Sequence, residues 1–231
     1  MKKSFFKPFF LVITYFFFQQ FTGIFVIMFY AIDIVQGAKV ELDAYITIVL
    51  IATVRLVAML LLSYSSKYYG RRPLSIVSGT GMSVCMLTLG SYILCIKQGL
   101  ISEELEKKLT LIPLSLLILY FFISTMGFYP IPFALSSEVY PGNIRGTAAG
   151  FGAGCNFLFF ITVKLYPTMM ESTNAYGVFF FYGGMAVVGT IFVIIFLPET
   201  RGKTLEEIQE YFVKKESIKE EHEKIVEKNA V

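Results

Sequence analysis

Apolar runs of roughly twenty residues recur along this chain, and short clusters of charge separate them. A helix needs about that length to cross a hydrocarbon core of about 30 Å. Inside lipid the backbone must bond to itself, so such runs become helices. Six of them stand out, at residues 9–32, 44–64, 74–96, 109–136, 147–170 and 175–197. The expected fold is therefore an all-α membrane protein with six transmembrane helices. Composition agrees: 55% of the 231 residues are hydrophobic, mean hydropathy is +0.66, and the charges gather in the N-terminus, the loops and the tail. A soluble domain intersperses its charges instead. The net charge of +3 is small, and no basic, aromatic-interleaved surface points to nucleic acid.

The first run follows Lys2, Lys3 and Lys7, as a signal peptide would. It is too long for a signal core, lacks a small-residue cleavage site and carries Gln19-Gln20 in its middle. It reads as a transmembrane helix. With six alternating spans, Lys2, Lys3, Lys7, Lys67, Arg71, Arg72, Arg145, Arg201 and Lys203 fall on one face. Short-loop lysine and arginine mark the cytoplasm, so both termini are expected there.

Between the spans, residues 33–43 read as a polar loop, residues 65–73 as a basic turn and residues 97–108 as a charged connection. In that connection Ser102-Glu103-Glu104-Leu105 starts a short surface helix. Pro73 suits the first turn of the third helix. Gly127, Pro130 and Pro132 interrupt the fourth span and predict a bend or break that could serve as a hinge. Residues 200–231 are expected to be cytoplasmic. Thr204 and Glu207 form a capping box, and Leu205, Ile208 and Phe212 follow at helical spacing, which predicts an amphipathic helix ahead of a charged tail.

Few residues here can carry covalent chemistry. Cys85, Cys95 and Cys155 all lie in apolar runs and lack metal-ligand spacing, so they read as small hydrophobes. His222 is the only histidine and sits in the tail, which excludes a histidine dyad or metal centre in the membrane. No nucleophile–base pair occurs in the spans, so no enzyme and no cofactor is expected.

Polar groups inside the spans are the candidates for function. Gln19 and Gln20 are adjacent, so their side chains diverge by about 100° and at least one faces the bundle. An amide both donates and accepts, which suits a sugar hydroxyl, and it equally suits a bond between helices. Asn156 is the matching amide of the fifth span and admits the same two readings. Tyr30 and Phe133 are aromatic candidates for a cavity wall. Arg55 is the costliest residue, at roughly 2.5–3.5 kcal/mol on insertion scales. No acid lies at comparable depth, so its expected partner is a backbone carbonyl, water, substrate or another chain. At the basic face Glu138, Arg145, Arg71 and Arg72 form two clusters bracketed by Gly and Pro. They read as a latch that opens and closes, or as surface charge that sets topology.

Together these stretches resemble the C-terminal half of a sugar porter of the major facilitator superfamily, similar to its insect facilitative trehalose/glucose-type members. The residues that carry the resemblance are Gln19-Gln20-Phe21-Thr22-Gly23, Gly70-Arg71-Arg72, Pro130-Ile131-Pro132-Phe133, Glu138-Val139-Tyr140-Pro141 with Arg145-Gly146, and Pro198-Glu199-Thr200-Arg201-Gly202. The resemblance implies that residues 1–199 form a six-helix half of a major-facilitator bundle. It implies sugar binding at Gln19, Gln20 and Asn156, a charge network of Arg71, Arg72, Glu138 and Arg145, and a flexible gate in the fourth span. Facilitative uniport of a hexose or disaccharide by alternating access, in the plasma membrane, is the function it implies. The implied partners are sugar, membrane lipid and an N-terminal six-helix half or a second copy. The alternative is a truncated, non-transporting paralogue with a regulatory or structural role. The chain departs from the family pattern at Phe25 for Asn, Phe133 for Trp, Phe29 for Tyr, Lys67 for an acid and Arg55 for a neutral polar residue.

Overall fold

A computed structural model describes residues 6–37, 43–101, 109, 111–140, 145–203 and 207. Lys2, Lys3, the surface helix expected at 102–105, the Pro141-Gly142-Asn143-Ile144 turn, the tail helix and the charged tail lie outside the described residues. Every regular element among the described residues is helical: α1 (Phe6–Phe21), α2 (Ile24–Phe29), α3 (Ala31–Gly37), α4 (Ala44–Tyr68), α5 (Arg71–Lys97), α6 (Leu111–Thr125), α7 (Ile131–Val139), α8 (Arg145–Phe159) and α9 (Ile161–Phe196).

Among the described residues, four helical stretches are long and apolar enough to cross a membrane: Pro8–Phe29, Tyr45–Tyr68, Arg71–Lys97 and Arg145–Phe196. The sequence predicts six runs, and two differences account for the count. The stretch Arg145–Phe196 has 52 residues, more than twice the about twenty that one crossing needs. It turns at Asn174, whose φ of 60° and ψ of 170° are not helical. The predicted fourth span is split between α6 and α7, so neither part alone is of crossing length. A third difference lies in the polar loop expected at 33–43. Its first part is α3, because Ile34 and Val35 offer a buried apolar face. Asp43 then caps α4, its carboxylate accepting the Tyr45 N–H at 2.7 Å.

The chain is interrupted at two places that matter for the site. The first is Gly23, between α1 and α2, with φ at 86°. A Cβ there would sit 2.7 Å from the Tyr182 ring, so glycine is required by both backbone and space. The Thr22 carbonyl beside the break is taken by the buried Tyr120 hydroxyl at 2.9 Å. The second interruption runs from Met126 to Pro130, between α6 and α7. Pro130 and Pro132 sit at the start of α7, where a missing N–H costs nothing. Gly127 faces α5, and a Cβ on it would be 2.5 Å from the Leu74 carbonyl.

Ser78 of α5 repairs this second break. Its hydroxyl donates to the Ile123 carbonyl at 2.8 Å and accepts the Phe128 N–H at 2.9 Å. In an apolar medium a group freed from the helix ladder needs such a partner. Phe128 is fully buried and meets Tyr15 edge-on at 5.1 Å between centroids.

The most extensive helix pair is α5 with α9. Small residues let these two approach: Gly183 faces Leu87, and Gly90 faces Phe180. Helix α1 packs on α8 and α9, and α6 packs on α5 and α4. Cys85 is buried while Cys95 and Cys155 are half-buried, and all three are free thiols.

Replacing Ser78 with alanine leaves the Phe128 N–H unpaired in the interior, while the Ile123 carbonyl keeps the Met126 N–H at 3.1 Å. We expect a loss of about 1–3 kcal/mol, read as a lower midpoint of thermal unfolding in detergent. Ser91→Ala, at an exposed position where the hydroxyl bonds only within its own helix, should leave that midpoint unchanged.

Candidate functional site

Gln19 and Gln20 end α1 just before the break at Gly23, so the two amides sit where backbone polarity also concentrates. Both are buried, at 0% and 1% exposure. Gln20 Nε2 donates to Asn156 Oδ1 at 2.8 Å and to the Asn156 carbonyl at 3.3 Å. Gln19 Nε2 donates to the carbonyl of Tyr129, inside the break between α6 and α7. Three separate helical segments therefore meet at this pair of amides. Their remaining oxygens, Gln19 Oε1 and Gln20 Oε1, are buried with no hydrogen-bond partner. An unpaired buried acceptor costs about 1–3 kcal/mol. Two of them, on adjacent residues, are able to accept from hydroxyl or N–H donors.

The two aromatic candidates flank this centre without joining it. Phe133 on α7 is 42% exposed and meets Phe16 at 4.9 Å between centroids, one turn N-terminal to Gln20. Tyr30 lies beyond α2, its ring tilted against that of Tyr166 at 4.4 Å between centroids. The Phe25 ring lies 5.8 Å from that of Tyr129.

Arg55 is half-buried in the middle of α4. Of its expected partners, a backbone carbonyl is not the one found among the described residues. Its Nη1 meets the Met28 Sδ at 2.7 Å, and its guanidinium lies over the Tyr129 ring at 5.0 Å from the centroid. An aromatic face attracts a cation, so a ring and a soft sulfur hold it where a carbonyl was expected. Tyr129 thus holds Gln19 by its carbonyl and Arg55 by its ring. Sequence reasoning missed Tyr129 because one of its two contacts is made by the backbone and the other depends on a distant helix. The neighbouring Gly127 and Pro130 were the available signal, since a broken helix frees carbonyls. Met28 had no signal.

The second candidate cluster lies at the end of the bundle where α4 and α7 finish and α5 begins. Arg71 Nη2 meets Glu138 Oε1 at 2.7 Å, and Glu138 Oε2 accepts the Thr200 hydroxyl at 3.0 Å. Arg71 and Glu138 are each about a quarter exposed. Arg145 does not bond Glu138; its Nε donates to the Tyr140 carbonyl at 3.3 Å. Arg72 donates to the Ile194 carbonyl of α9. Two of the four predicted charges are therefore joined, and the other two tie down backbone.

Glu199 is the member that the sequence reading left out. Its carboxylate accepts the N–H of Arg71 at 3.0 Å, of Arg72 at 3.3 Å and of Arg201 at 2.9 Å. This is a carboxylate on the N-terminus of α5, where the helix dipole and free N–H groups favour an anion. Gly70 leaves room for it here: a Cβ would overlap the Glu199 carboxylate, which would have to move away. The Arg201 guanidinium donates to the Tyr68 carbonyl at the end of α4. The cluster also connects inward. Ser75 donates to the Arg71 carbonyl at 2.9 Å, and the Tyr15 hydroxyl of α1 donates to Ser75 Oγ at 2.7 Å.

Comparison with known proteins adds a family. The family profile described as "Sugar (and other) transporter" matches residues 1–212. The facilitated trehalose transporter Tret1 of Drosophila mojavensis is 31% identical over 210 residues, covering 90% of this chain and 24% of that protein. The Tret1 of Culex quinquefasciatus is 30% identical over 210 residues, covering 90% of this chain and 40% of that protein. Among solved structures, the proton:xylose symporter XylE bound to 6-bromo-6-deoxy-D-glucose superposes with a TM-score of 0.75 at 25% identity, covering 88% of this chain and 42% of that one. The inward-open XylE from E. coli gives a TM-score of 0.71 over 89% of this chain. This chain thus spans well under half the length of these relatives.

A Gly70→Ala substitution should displace Glu199 and leave the first turn of α5 uncapped. We expect the Arg71 and Arg72 amides to exchange with solvent about tenfold faster or more, as measured by hydrogen–deuterium exchange. Gly184→Ala, where a Cβ meets nothing within 4 Å, should leave that exchange unchanged.

Proposed function

The chain belongs to the sugar (and other) transporter family, and on that premise we propose that it forms one wall of a path carrying a hexose or disaccharide across a membrane. One observation carries the reading. Gln20 and Asn156 are locked together, while Gln19 Oε1 and Gln20 Oε1 stay buried without donors. Sugar hydroxyls can donate to such oxygens and accept from amide N–H groups in return. The named substrates of the relatives, trehalose and xylose, are both polyols of this kind.

The chain is a multi-pass membrane protein, and six crossings form one half of a major-facilitator bundle. The crossings are α1 with α2, α4, α5, α6 with α7, α8 with α9 as far as Asn174, and α9 beyond it. Both termini are cytoplasmic, since Lys67, Arg71, Arg72, Arg145, Arg201 and Lys203 gather at one end. Transport is facilitative, through rocking of this half against an N-terminal half or a second copy in the plasma membrane. Gln19, Gln20 and Asn156 bind the sugar, with Tyr30 and Phe133 as walls and the break at Gly127, Pro130 and Pro132 as the hinge. The Arg71–Glu138–Thr200 contacts, with Glu199 on the start of α5, latch the cytoplasmic end in one state. Arg72 and Arg145 brace the backbone beside them.

The test is binding of labelled glucose and trehalose to the purified chain, and uptake into vesicles by the chain alone and joined to an N-terminal half. Gln20→Ala removes one amide that meets both Asn156 and the sugar. We expect it to weaken binding about tenfold. Equal binding by variant and parent would overturn the site, and absence of flux from every arrangement would favour a non-transporting role.

A further inference from the structure

Arg55 is the one strong feature near the amide centre that neutral sugar binding does not use. It falls mid-way along the 25-residue α4. Among the described residues its contacts are the Met28 sulfur and the Tyr129 ring, and no carboxylate bonds it. A guanidinium has five N–H donors in a planar fork, and a thioether is a weak acceptor for one of them. The side chain is half-buried, and the other N–H groups of the fork have no hydrogen-bond partner among the described residues. The Tyr129 ring fixes the plane of the cation, and the Tyr129 carbonyl fixes Gln19. The Arg55 charge and the Gln19 amide are thereby both held by Tyr129.

We infer that the site takes a sugar bearing an oxyanion, a carboxylate or a phosphate, with Arg55 binding the anion and Gln19, Gln20 and Asn156 binding the ring hydroxyls. The inference rests on the sugar-site reading above and narrows its substrate class. An arginine fork matches the two oxygens of either anion, with two parallel hydrogen bonds. A bound anion also offsets the cost of holding an unpaired cation at mid-depth. Structural tethering alone would be served by an uncharged side chain of similar length.

The experiment is equilibrium binding of D-glucuronate, D-glucose 6-phosphate and D-glucose to the purified 231-residue chain in detergent. The parent is expected to bind at least one of the two anions about tenfold or more tightly than glucose. The two anionic arms distinguish carboxylate from phosphate. Arg55→Gln should abolish the preference and leave glucose affinity within about twofold of the parent. Arg55→Lys keeps the charge and loses the fork, so it should bind the preferred anion less tightly than the parent and more tightly than Arg55→Gln. A parent that binds glucose with no anion preference overturns this proposal alone. An Arg55→Gln chain that melts lower and loses all three ligands together also overturns it, by making Arg55 a structural tie. A parent that binds none of the three overturns the sugar site itself.

Discussion

The need to pair every backbone group inside an apolar medium governs this molecule. A helix meets that need by itself, and a broken helix does not. The chain breaks at Gly23 and again between Met126 and Pro130, so each break demands help from elsewhere. Tyr120 closes on the Thr22 carbonyl at the first. Ser78 pairs with both sides of the second, and Gln19 takes the Tyr129 carbonyl within it. These repairs tie α5 to the α6–α7 break, and α1 to α6 and to that break. The helices are thus held in register by the same groups that make them irregular. Polar contacts of this kind add to the close van der Waals packing of the helices, because lipid tails offer apolar surface as well as any helix does.

The same logic places the amide centre. A break concentrates unpaired carbonyls, and side-chain amides gather where such carbonyls are. Gln19 and Gln20 use their N–H groups on protein acceptors and keep their oxygens unpaired. The centre is therefore rich in acceptors. At the opposite extreme, the end of the bundle near Arg71 is rich in paired charge. Glu199 caps α5 while Glu138 bridges Arg71 and Thr200, so α5, α7 and the segment after α9 are joined through two carboxylates. Exposed ion pairs are weak singly, and this end draws its strength from sharing. Hydrogen bonds from Arg71 through Ser75 to Tyr15 link it to α1, the helix that carries the glutamines.

Much of this was legible in the residue order. The helical class, the apolar runs, the break near Gly127 and Pro130, and the stretches that carry the family resemblance all follow from local composition. Local signals also explain the misreadings. Ile34 and Val35 were too few to announce α3 against the polar residues around them. Arg145 stands close to Glu138 in sequence, which suggested a pair, yet Arg71 from a distant helix takes the carboxylate and Arg145 bonds the Tyr140 carbonyl instead. Glu199 reads as one acid in a tail, and only packing reveals that Gly70 leaves room for it above the first turn of α5.

The sequence by itself determined what this chain must be: a set of membrane-length helices with amides and one arginine at depth. Hydropathy and length act through neighbours along the chain, so they can be read without knowing what lies across it. Which acceptor each amide meets, which acid each arginine meets and which aromatic face covers Arg55 were decided only by the tertiary structure. Those contacts join residues as far apart as Gln20 and Asn156 or Arg71 and Glu199. A hydrogen bond acts over about 3 Å. No pattern along the chain encodes a distance that short between residues that far apart in sequence.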